Sequence, residues 1–215
     1  MMSAFLLAQH QSNWNARVLT ENLSTKLKNS YTLQKQFEVF YLTCHSSDQC
    51  NNLSPNIRKA AYCLGVKNGN SSVFNFMTQM FWREQSKSQY LITEKQNLLY
   101  GLSCSQNPFH IYQLIDLILE TQNNQALSNL KSNPAAQSVL LNYLDNRFDY
   151  VYSKNALPDL VRAIGHHVDM EHLVKISNKL NVTNKFAKLM DEKLKAERWK
   201  QEQGKEVIEW LRKHS

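Results

Sequence analysis

The chain has 215 residues, enough to bury a substantial core, yet it contains only five glycines and four prolines. So few turn-forming residues argue against a β-sandwich or barrel and favour an all-α fold. The formal net charge of +7 is spread thinly rather than clustered, which argues against nucleic-acid binding, and no apolar run approaches the roughly 20 residues of a membrane span.

Prolines mark the starts of several predicted helices. Ser54-Pro55, Asn107-Pro108 and Asn133-Pro134 each place an N-cap residue directly before a proline at the first helical position. Thr93-Glu-Lys-Gln96 has the form of a capping box, and Pro158 falls in another first turn. Each of these positions therefore predicts the beginning of a helix.

Between these starts, apolar residues recur at helical spacing. Such faces comprise Ile111, Leu114, Ile115, Ile118 and Leu119; Val139, Leu140, Tyr143, Leu144, Phe148 and Val151; and Leu173, Ile176 and Leu180. A last run through Leu194, Val207 and Ile208 predicts a long terminal helix that is broken or locally weakened at Gly204. The pattern predicts nine or ten helices of about 12–18 residues and no strand. Stacked antiparallel pairs would form one domain, residues 1–215, built as a HEAT- or armadillo-like α-solenoid.

No catalytic or metal site is predicted within this chain. The histidine cluster at residues 166–172 lacks the H-E-x-x-H spacing, and Asp169 within it is better placed as a helix cap. No G-x-S-x-G elbow, Gly-rich phosphate loop or catalytic cysteine context occurs. The aromatic side chains of one segment are predicted to be core rather than a cofactor site: Phe74, Phe76, Phe81 and Trp82.

Four cysteines, Cys44, Cys50, Cys63 and Cys104, occur without any C-x-x-C pair. An even count favours two structural disulfides, for which three pairings are possible, and such bridges persist only in an oxidising compartment. The alternative is four buried, reduced thiols that behave as small hydrophobic side chains.

N-x-[ST] sequons occur at Asn22, Asn52, Asn70 and Asn181. An Asn-rich chain contains several such triplets by chance, and a proline soon after its serine makes Asn52 a poor acceptor. The candidate glycosylation sites are therefore Asn22, Asn70 and Asn181 if the protein is secreted. Asn70, in a polar turn, is the best of them.

Two segments resemble the C-terminal helical domain of the aminopeptidase N family of zinc metallopeptidases. They are Ser54-Pro-Asn-Ile-Arg-Lys-Ala-Ala-Tyr-Cys63 and Glu94-Lys-Gln-Asn-Leu-Leu-Tyr-Gly-Leu-Ser-Cys104. In that family a short cysteine pair precedes the first segment, and a second pair links the Tyr-Cys helix to the end of a later helix. The resemblance therefore implies the pairings Cys44–Cys50 and Cys63–Cys104.

The resemblance extends from about Trp14 to the C-terminus. It includes Asn133-Pro134, the stretch Tyr143–Phe148, and the closing Arg198-Trp199 and Ile208-Glu-Trp-Leu211 pattern. The chain departs from the family pattern at Ala136 and Phe148, where the family tends to have glycine and tryptophan. The beginning of the family's helical domain is expected to precede Met1.

Enzymes of this family remove N-terminal residues from peptides, with zinc held in a preceding domain by H-E-x-x-H and a distant glutamate. That motif is absent from this sequence. The resemblance implies a non-catalytic domain that encloses the active-site chamber and limits peptide access, with the parent catalytic domain as its partner and zinc only in that domain.

The implied location is extracellular or membrane-associated, within a larger protein of the secretory pathway. The apolar stretch at residues 1–8 is too short and lacks a basic leader, so no signal peptide is expected in this chain. The alternative function is a stand-alone α-solenoid that binds proteins or peptides without peptidase activity. A cytosolic helical scaffold with reduced cysteines is a further alternative.

Overall fold

The computed structural model describes residues 28–44, 52–86, 92–164 and 170–179, together with parts of 187–214. Several residues singled out above lie outside the described residues: Asn22, Cys50, His166, His167, Asp169, Leu180 and Asn181.

The described chain is helical. Its elements are α1 (28–44), α2 (Pro55–Asn68), α3 (Ser71–Ser86), α4 (Ile92–Leu102), α5 (Pro108–Glu120), a 3-10 segment (Asn124–Ser132), α6 (Pro134–Ser153), α7 (Leu157–Ala163), α8 (Met170–Lys179) and α9 (Gly204–His214). None of the residues described belongs to a strand, which confirms the all-α prediction. The lengths spread more widely than predicted, since α7 has 7 residues and α6 has 20.

The predicted proline starts are confirmed. Pro55, Pro108 and Pro134 are the first residues of α2, α5 and α6. An N–H group at the first helical position has no acceptor within the helix, so the N–H that proline lacks costs no hydrogen bond there. The Oδ1 atom of Asn107 accepts a hydrogen bond from the N–H of Phe109 at 2.9 Å. The capping-box prediction is wrong, because Thr93 already lies inside α4.

Asn133 holds the start of α6 against the preceding loop. Its Oδ1 accepts from the Ala135 N–H at 3.1 Å, while its Nδ2 donates to the carbonyls of Ser103 at 2.8 Å and Ser105 at 2.7 Å. Because Asn133 is buried, these bonds replace the water that its amide would otherwise bind. The cap residue therefore also fixes how α6 approaches the end of α4.

Helices α5 and α6 end in the same way. Gln122 after α5 and Asn155 after α6 have left-handed φ angles of 56° and 53°. In each case the next N–H returns to a carbonyl five residues earlier, from Asn123 to Ile118 at 3.0 Å and from Ala156 to Val151 at 3.1 Å. This is the Schellman arrangement, in which glycine is the usual left-handed residue.

The apolar stripe of α5 forms the centre of the core. All five residues predicted for it are fully buried, as are Leu140, Tyr143, Leu144 and Val151 of α6 and Leu173 of α8. Helix α4 packs against α2 and α3, and α5 packs against α6 and the 3-10 segment, which also contacts α7. Contacts therefore join helices that are near in sequence, while the α-solenoid arrangement stays a prediction.

One prediction about buried side chains is wrong. Phe74, Phe76 and Phe81 are buried, but Trp82 is 44% exposed because it follows Phe81 by one residue and so lies about 100° further around α3. Val207 and Ile208 of α9 are about half exposed. The turn at Gln203, immediately before α9, agrees with the break or local weakening of the helix predicted at Gly204.

Candidate functional site

The first of the two segments that resemble the aminopeptidase family meets the second at a buried polar contact between α2 and α4. The Tyr62 hydroxyl donates to Glu94 Oε1 at 2.5 Å, and Arg58 Nη1 donates to Glu94 Oε2 at 3.1 Å. Tyr62 is fully buried and Glu94 is 7% exposed. Arg58 Nε also donates to the carbonyl of Leu53 at 3.0 Å. The carboxylate thus has two protein donors in place of water.

Gly101 and a disulfide complete this contact, which we call the α2–α4 junction (Arg58, Tyr62, Cys63, Glu94, Gly101 and Cys104). A Cβ atom on Gly101 would lie 2.6 Å from the Cβ of Tyr62, so glycine permits the close approach of the two helices. Cys63 and Cys104 form a disulfide with their Cα atoms 5.2 Å apart. The motif residues therefore build a helix–helix contact rather than a catalytic group.

Cys44 is also disulfide-bonded. It is buried at the end of α1. Its predicted partner, Cys50, lies outside the described residues, so the Cys44–Cys50 pairing stays a prediction.

His110 on α5 is a buried titratable group that touches α3. Its Nε2 lies 3.0 Å from Ser71 Oγ and its Nδ1 lies 3.3 Å from Ser105 Oγ, and its ring stacks on Phe74 with centroids 4.3 Å apart. Burial lowers the pKa of His110, because a charged imidazolium would lose its hydration in this site. The folded protein therefore favours the neutral ring.

This environment predicts a loss of stability on acidification. The unfolded chain binds a proton at His110 near pH 6.5, whereas the folded chain binds it only at a lower pH. The stability that the neutral, buried His110 ring allows is complete above pH 6.5. It falls as the pH decreases toward the pKa of His110 in the folded chain. We expect the urea midpoint of the native chain to drop more between pH 7 and pH 5 than that of His110→Gln. Equal drops in the two proteins would contradict this assignment.

An amide-rich concavity lies between α4, the turn after α5, the 3-10 segment and α7. We call it the amide groove; its volume is about 620 Å³. Seven of its lining side chains are primary amides: Gln96, Asn97, Gln122, Asn123, Asn124, Gln125 and Asn129. Lys59 and Asp159 contribute one charge of each sign. The sequence analysis missed this groove, although the run Gln122-Asn-Asn-Gln125 was a visible signal.

A smaller concavity of about 220 Å³ lies between α3 and α5, beside the exposed Trp82. Asp116 and Glu120 line it, and Asp116 Oδ1 accepts a hydrogen bond from the Tyr143 hydroxyl at 2.6 Å. Burial, and next the bond to Asp116, raises the pKa of Tyr143 well above its ordinary value. Tyr143 is therefore a neutral donor that fixes Asp116, and not a proton-transfer group.

The predicted metal and glycosylation residues are only partly described. Among the residues described, no group of three or more histidine, cysteine, aspartate or glutamate side chains is arranged to hold a metal ion. His172 lies half-buried on α8, whereas His166, His167 and Asp169 are outside the described residues. Asn70 is exposed at the start of α3, where its Oδ1 accepts from the N–H groups of Ser72 at 3.0 Å and Val73 at 3.3 Å.

Comparison with known proteins agrees with the resemblance of the two junction segments. Residues 8–197 match the family described as the ERAP1-like C-terminal domain. The chain is 38% identical over 98 residues to the Caenorhabditis elegans protein named "Putative aminopeptidase-2", covering 44% of this chain and 5% of that protein. It is 24% identical over 188 residues to dog aminopeptidase N, covering 78% of this chain and 19% of that protein.

The residues of the α2–α4 junction hold two helices together within an all-α chain. The chain belongs to the ERAP1-like C-terminal domain family, because the family match covers most of its length. It corresponds to less than a fifth of the length of either aminopeptidase. In the part of the chain that is described, no helix is long and apolar enough to cross a membrane.

Proposed function

We propose that this chain is the non-catalytic C-terminal domain of an aminopeptidase N-like zinc metallopeptidase, where it encloses the active-site chamber and limits which peptides enter. The observation that carries the proposal is the family match over residues 8–197, together with similarity to two proteins named as aminopeptidases. The partner is the catalytic domain of the parent enzyme, which supplies the zinc and the hydrolysis. Peptides are the substrates of that assembly.

The α2–α4 junction supports this role physically. A wall that discriminates by size must keep its shape against thermal motion. A disulfide, a buried Arg–Glu–Tyr contact and a glycine-permitted close approach join the same two helices. Each restricts a different relative movement of α2 and α4, so together they favour a rigid surface.

A chimera tests the proposed chamber role. The catalytic portion of dog aminopeptidase N is fused to this chain in place of its own C-terminal segment. We compare kcat/KM for alanine p-nitroanilide with that for a decapeptide beginning with alanine. The expected result is a several-fold lower peptide-to-anilide ratio than in the catalytic portion alone, because a wall obstructs only the longer substrate.

The controls are the catalytic portion fused to an unrelated helical-repeat protein of similar size, and the present chain alone with added zinc. The unrelated fusion should leave the ratio unchanged, and the chain alone should release no p-nitroaniline. A ratio that is equal in both fusions, with zinc content and helicity retained, would reject the chamber role.

The same proposal places the protein outside the cell or at its surface, as part of a larger secretory-pathway protein. Disulfides persist where thiols are not continually reduced, which supports this location. The predicted Cys44–Cys50 bridge and the candidate glycosylation sites Asn22, Asn70 and Asn181 belong to the same proposal.

Asn70 is the proposed acceptor of an N-linked glycan. Its Oδ1 is engaged by two backbone N–H groups, so the amide nitrogen remains available on an exposed side chain. After secretion from insect cells, peptide N-glycosidase F should remove a glycan from this residue. The variant Asn70→Asp keeps the helix-capping oxygen but lacks the acceptor nitrogen, so it should fold normally without the glycan. An unmodified Asn70 peptide from the secreted native chain would contradict the proposal.

A further inference from the structure

A small concavity opens beside the disulfide of the α2–α4 junction. We call it the disulfide pocket; its volume is about 200 Å³, and both Cys63 and Cys104 line it. These two cysteines are half-buried, whereas Cys44, which is also disulfide-bonded, is buried. A thiol attacks a disulfide only where it reaches one of the sulfur atoms. The Cys63–Cys104 bridge therefore meets the first requirement for thiol–disulfide exchange in the folded chain.

The disulfide pocket also carries a positive charge beside one of its cysteines. Lys67 is the one charged side chain among the described residues that line the pocket, and Gln106 and Ser132 are among the polar ones. Lys67 lies four residues after Cys63 on α2, so the two side chains share one face of that helix. An ammonium group at this position attracts an approaching thiolate and stabilises the thiolate that leaves on Cys63.

We propose that the Cys63–Cys104 bridge is a site of thiol–disulfide exchange with an anionic, low-molecular-weight thiol, the chemical class to which glutathione belongs. The pocket admits the thiol end of such a molecule, and Lys67 selects its negative charge. The bridge persists in an oxidising compartment and exchanges where the small thiol is supplied. The inference goes beyond the proposed function and does not depend on the chamber role.

The exchange takes place in two steps. In the first, the thiolate of the small molecule attacks the Sγ atom of Cys104. A new S–S bond forms as the bridge breaks, and the electron pair of the broken bond leaves on Cys63 beside Lys67. In the second step, another small thiolate attacks the first small molecule's sulfur and displaces Cys104. Each cysteine thiolate takes up one of the protons that the two small thiols released. Two small thiols are thereby oxidised to one disulfide, and the bridge is reduced to two cysteines.

The exchange releases one of the ties between α2 and α4 and leaves the others in place. The hydrogen bonds from Tyr62 and Arg58 to Glu94 do not involve sulfur. The reduced chain should therefore keep its circular dichroism at 222 nm at 25 °C, while its Tm falls by about 5–15 °C. Loss of the helical signal at 25 °C on reduction would overturn the inference, because the bridge would then not be a modification site of a folded protein.

The probes are 2-mercaptoethanesulfonate and cysteamine, two thiols of similar size and opposite charge. Each is added to the native 215-residue chain, and alkylation followed by mass spectrometry measures the loss of the Cys63–Cys104 bridge. We expect the rate to be the same with and without about 1 M urea, because the folded chain exposes the bridge. A reaction that requires global unfolding would accelerate at least about fivefold in 1 M urea, and this result would overturn the proposal.

The site of attack is a second readout of the same reaction. At low thiol concentration, the mixed disulfide with 2-mercaptoethanesulfonate should be found on the peptide that contains Cys104, since Lys67 favours departure of the Cys63 thiolate. An adduct on Cys63 in place of Cys104 would contradict the role assigned to Lys67.

Lys67→Gln removes the charge of the pocket. The rate for 2-mercaptoethanesulfonate divided by that for cysteamine, each per thiolate, should fall about threefold to tenfold. The leaving thiolate is common to both probes, so this ratio reports the attraction of the attacking thiol. Lys175→Gln is the matched control, because it removes the same charge from an exposed lysine of α8 that does not line the pocket. Its ratio should equal that of the native chain. Equal ratios in Lys67→Gln and the native chain would overturn the proposal.

Discussion

Replacing both Cys63 and Cys104 by serine is expected to lower the free energy of unfolding by about 2–4 kcal/mol. The two cysteines are 41 residues apart in sequence, so their disulfide removes much of the conformational freedom of the unfolded chain. Urea unfolding followed by circular dichroism at 222 nm measures the loss. The slope of free energy against urea should also increase, because the unfolded variant exposes more surface.

The matched control for this bridge is the double substitution Cys44→Ser with Cys50→Ser. If these cysteines pair as predicted, they close a much shorter loop, and the entropic loss should be smaller by roughly 1–2 kcal/mol. Equal losses in the two double variants would show that loop closure does not determine the effect. A loss below about 1 kcal/mol for the Cys63 and Cys104 variant would contradict the expected contribution.

The sequence predicted the helices best where the signal was local. A proline fixes its own φ angle and lacks an N–H, so Asn107-Pro108 and Asn133-Pro134 determine helix starts without help from distant residues. The stripe from Ile111 to Leu119 was predicted correctly because its apolar side chains recur on one face of a single helix. Such features depend on few neighbours, and periodicity is sufficient to find them.

Predictions failed where the result depends on helix phase or on a boundary. Trp82 was grouped with buried rings by proximity in sequence, but a single residue's rotation places it at the surface. Thr93 carries a capping-box pattern, yet α4 includes Ile92 before it. Tertiary packing decides each of these cases.

The candidate site could be predicted only in part for the same reason. Resemblance implied the pairing of Cys63 with Cys104, but it gave no role to Arg58 or Glu94, which are 36 residues apart and meet only after α2 and α4 pack. The amide groove gathers residues from several elements, and no single segment contains its pattern. Sequence shows which chemical groups are present, and the fold determines which of them face the same space.

The junction and the amide groove share helices, which links the stability of the junction to the shape of the groove. Helix α4 contributes Glu94 and Gly101 to the junction and Tyr100 to the groove, and α2 contributes Arg58 to the first and Lys59 to the second. A shift of α2 relative to α4 would therefore change the groove as well. Substitutions in the junction should therefore change both the free energy of unfolding and the shape of the amide groove.

Glu94→Ala is expected to cost about 3 kcal/mol of unfolding free energy, the second of the two largest effects. The substitution removes the acceptor of the buried Tyr62 hydroxyl and the anion that accompanies Arg58, whose side chain is only 22% exposed. Removing one partner of a buried pair leaves the other partner's charge or polar group without water and without a counter-group. The cost therefore exceeds that of breaking an exposed ion pair. Urea unfolding at pH 7 provides the measurement.

Two isosteric variants separate the charge from the hydrogen bond. Glu94→Gln keeps the volume and an acceptor for Tyr62 but loses the charge, so it should cost less than Glu94→Ala. Tyr62→Phe removes only the hydroxyl and should cost about 1 kcal/mol. Combining Glu94→Ala with Tyr62→Phe gives a coupling energy, which should be favourable because each single substitution removes the hydrogen bond between the two side chains. Additive effects in the double variant, or a Glu94→Ala loss below about 1 kcal/mol, would show that this contact does not hold α2 against α4.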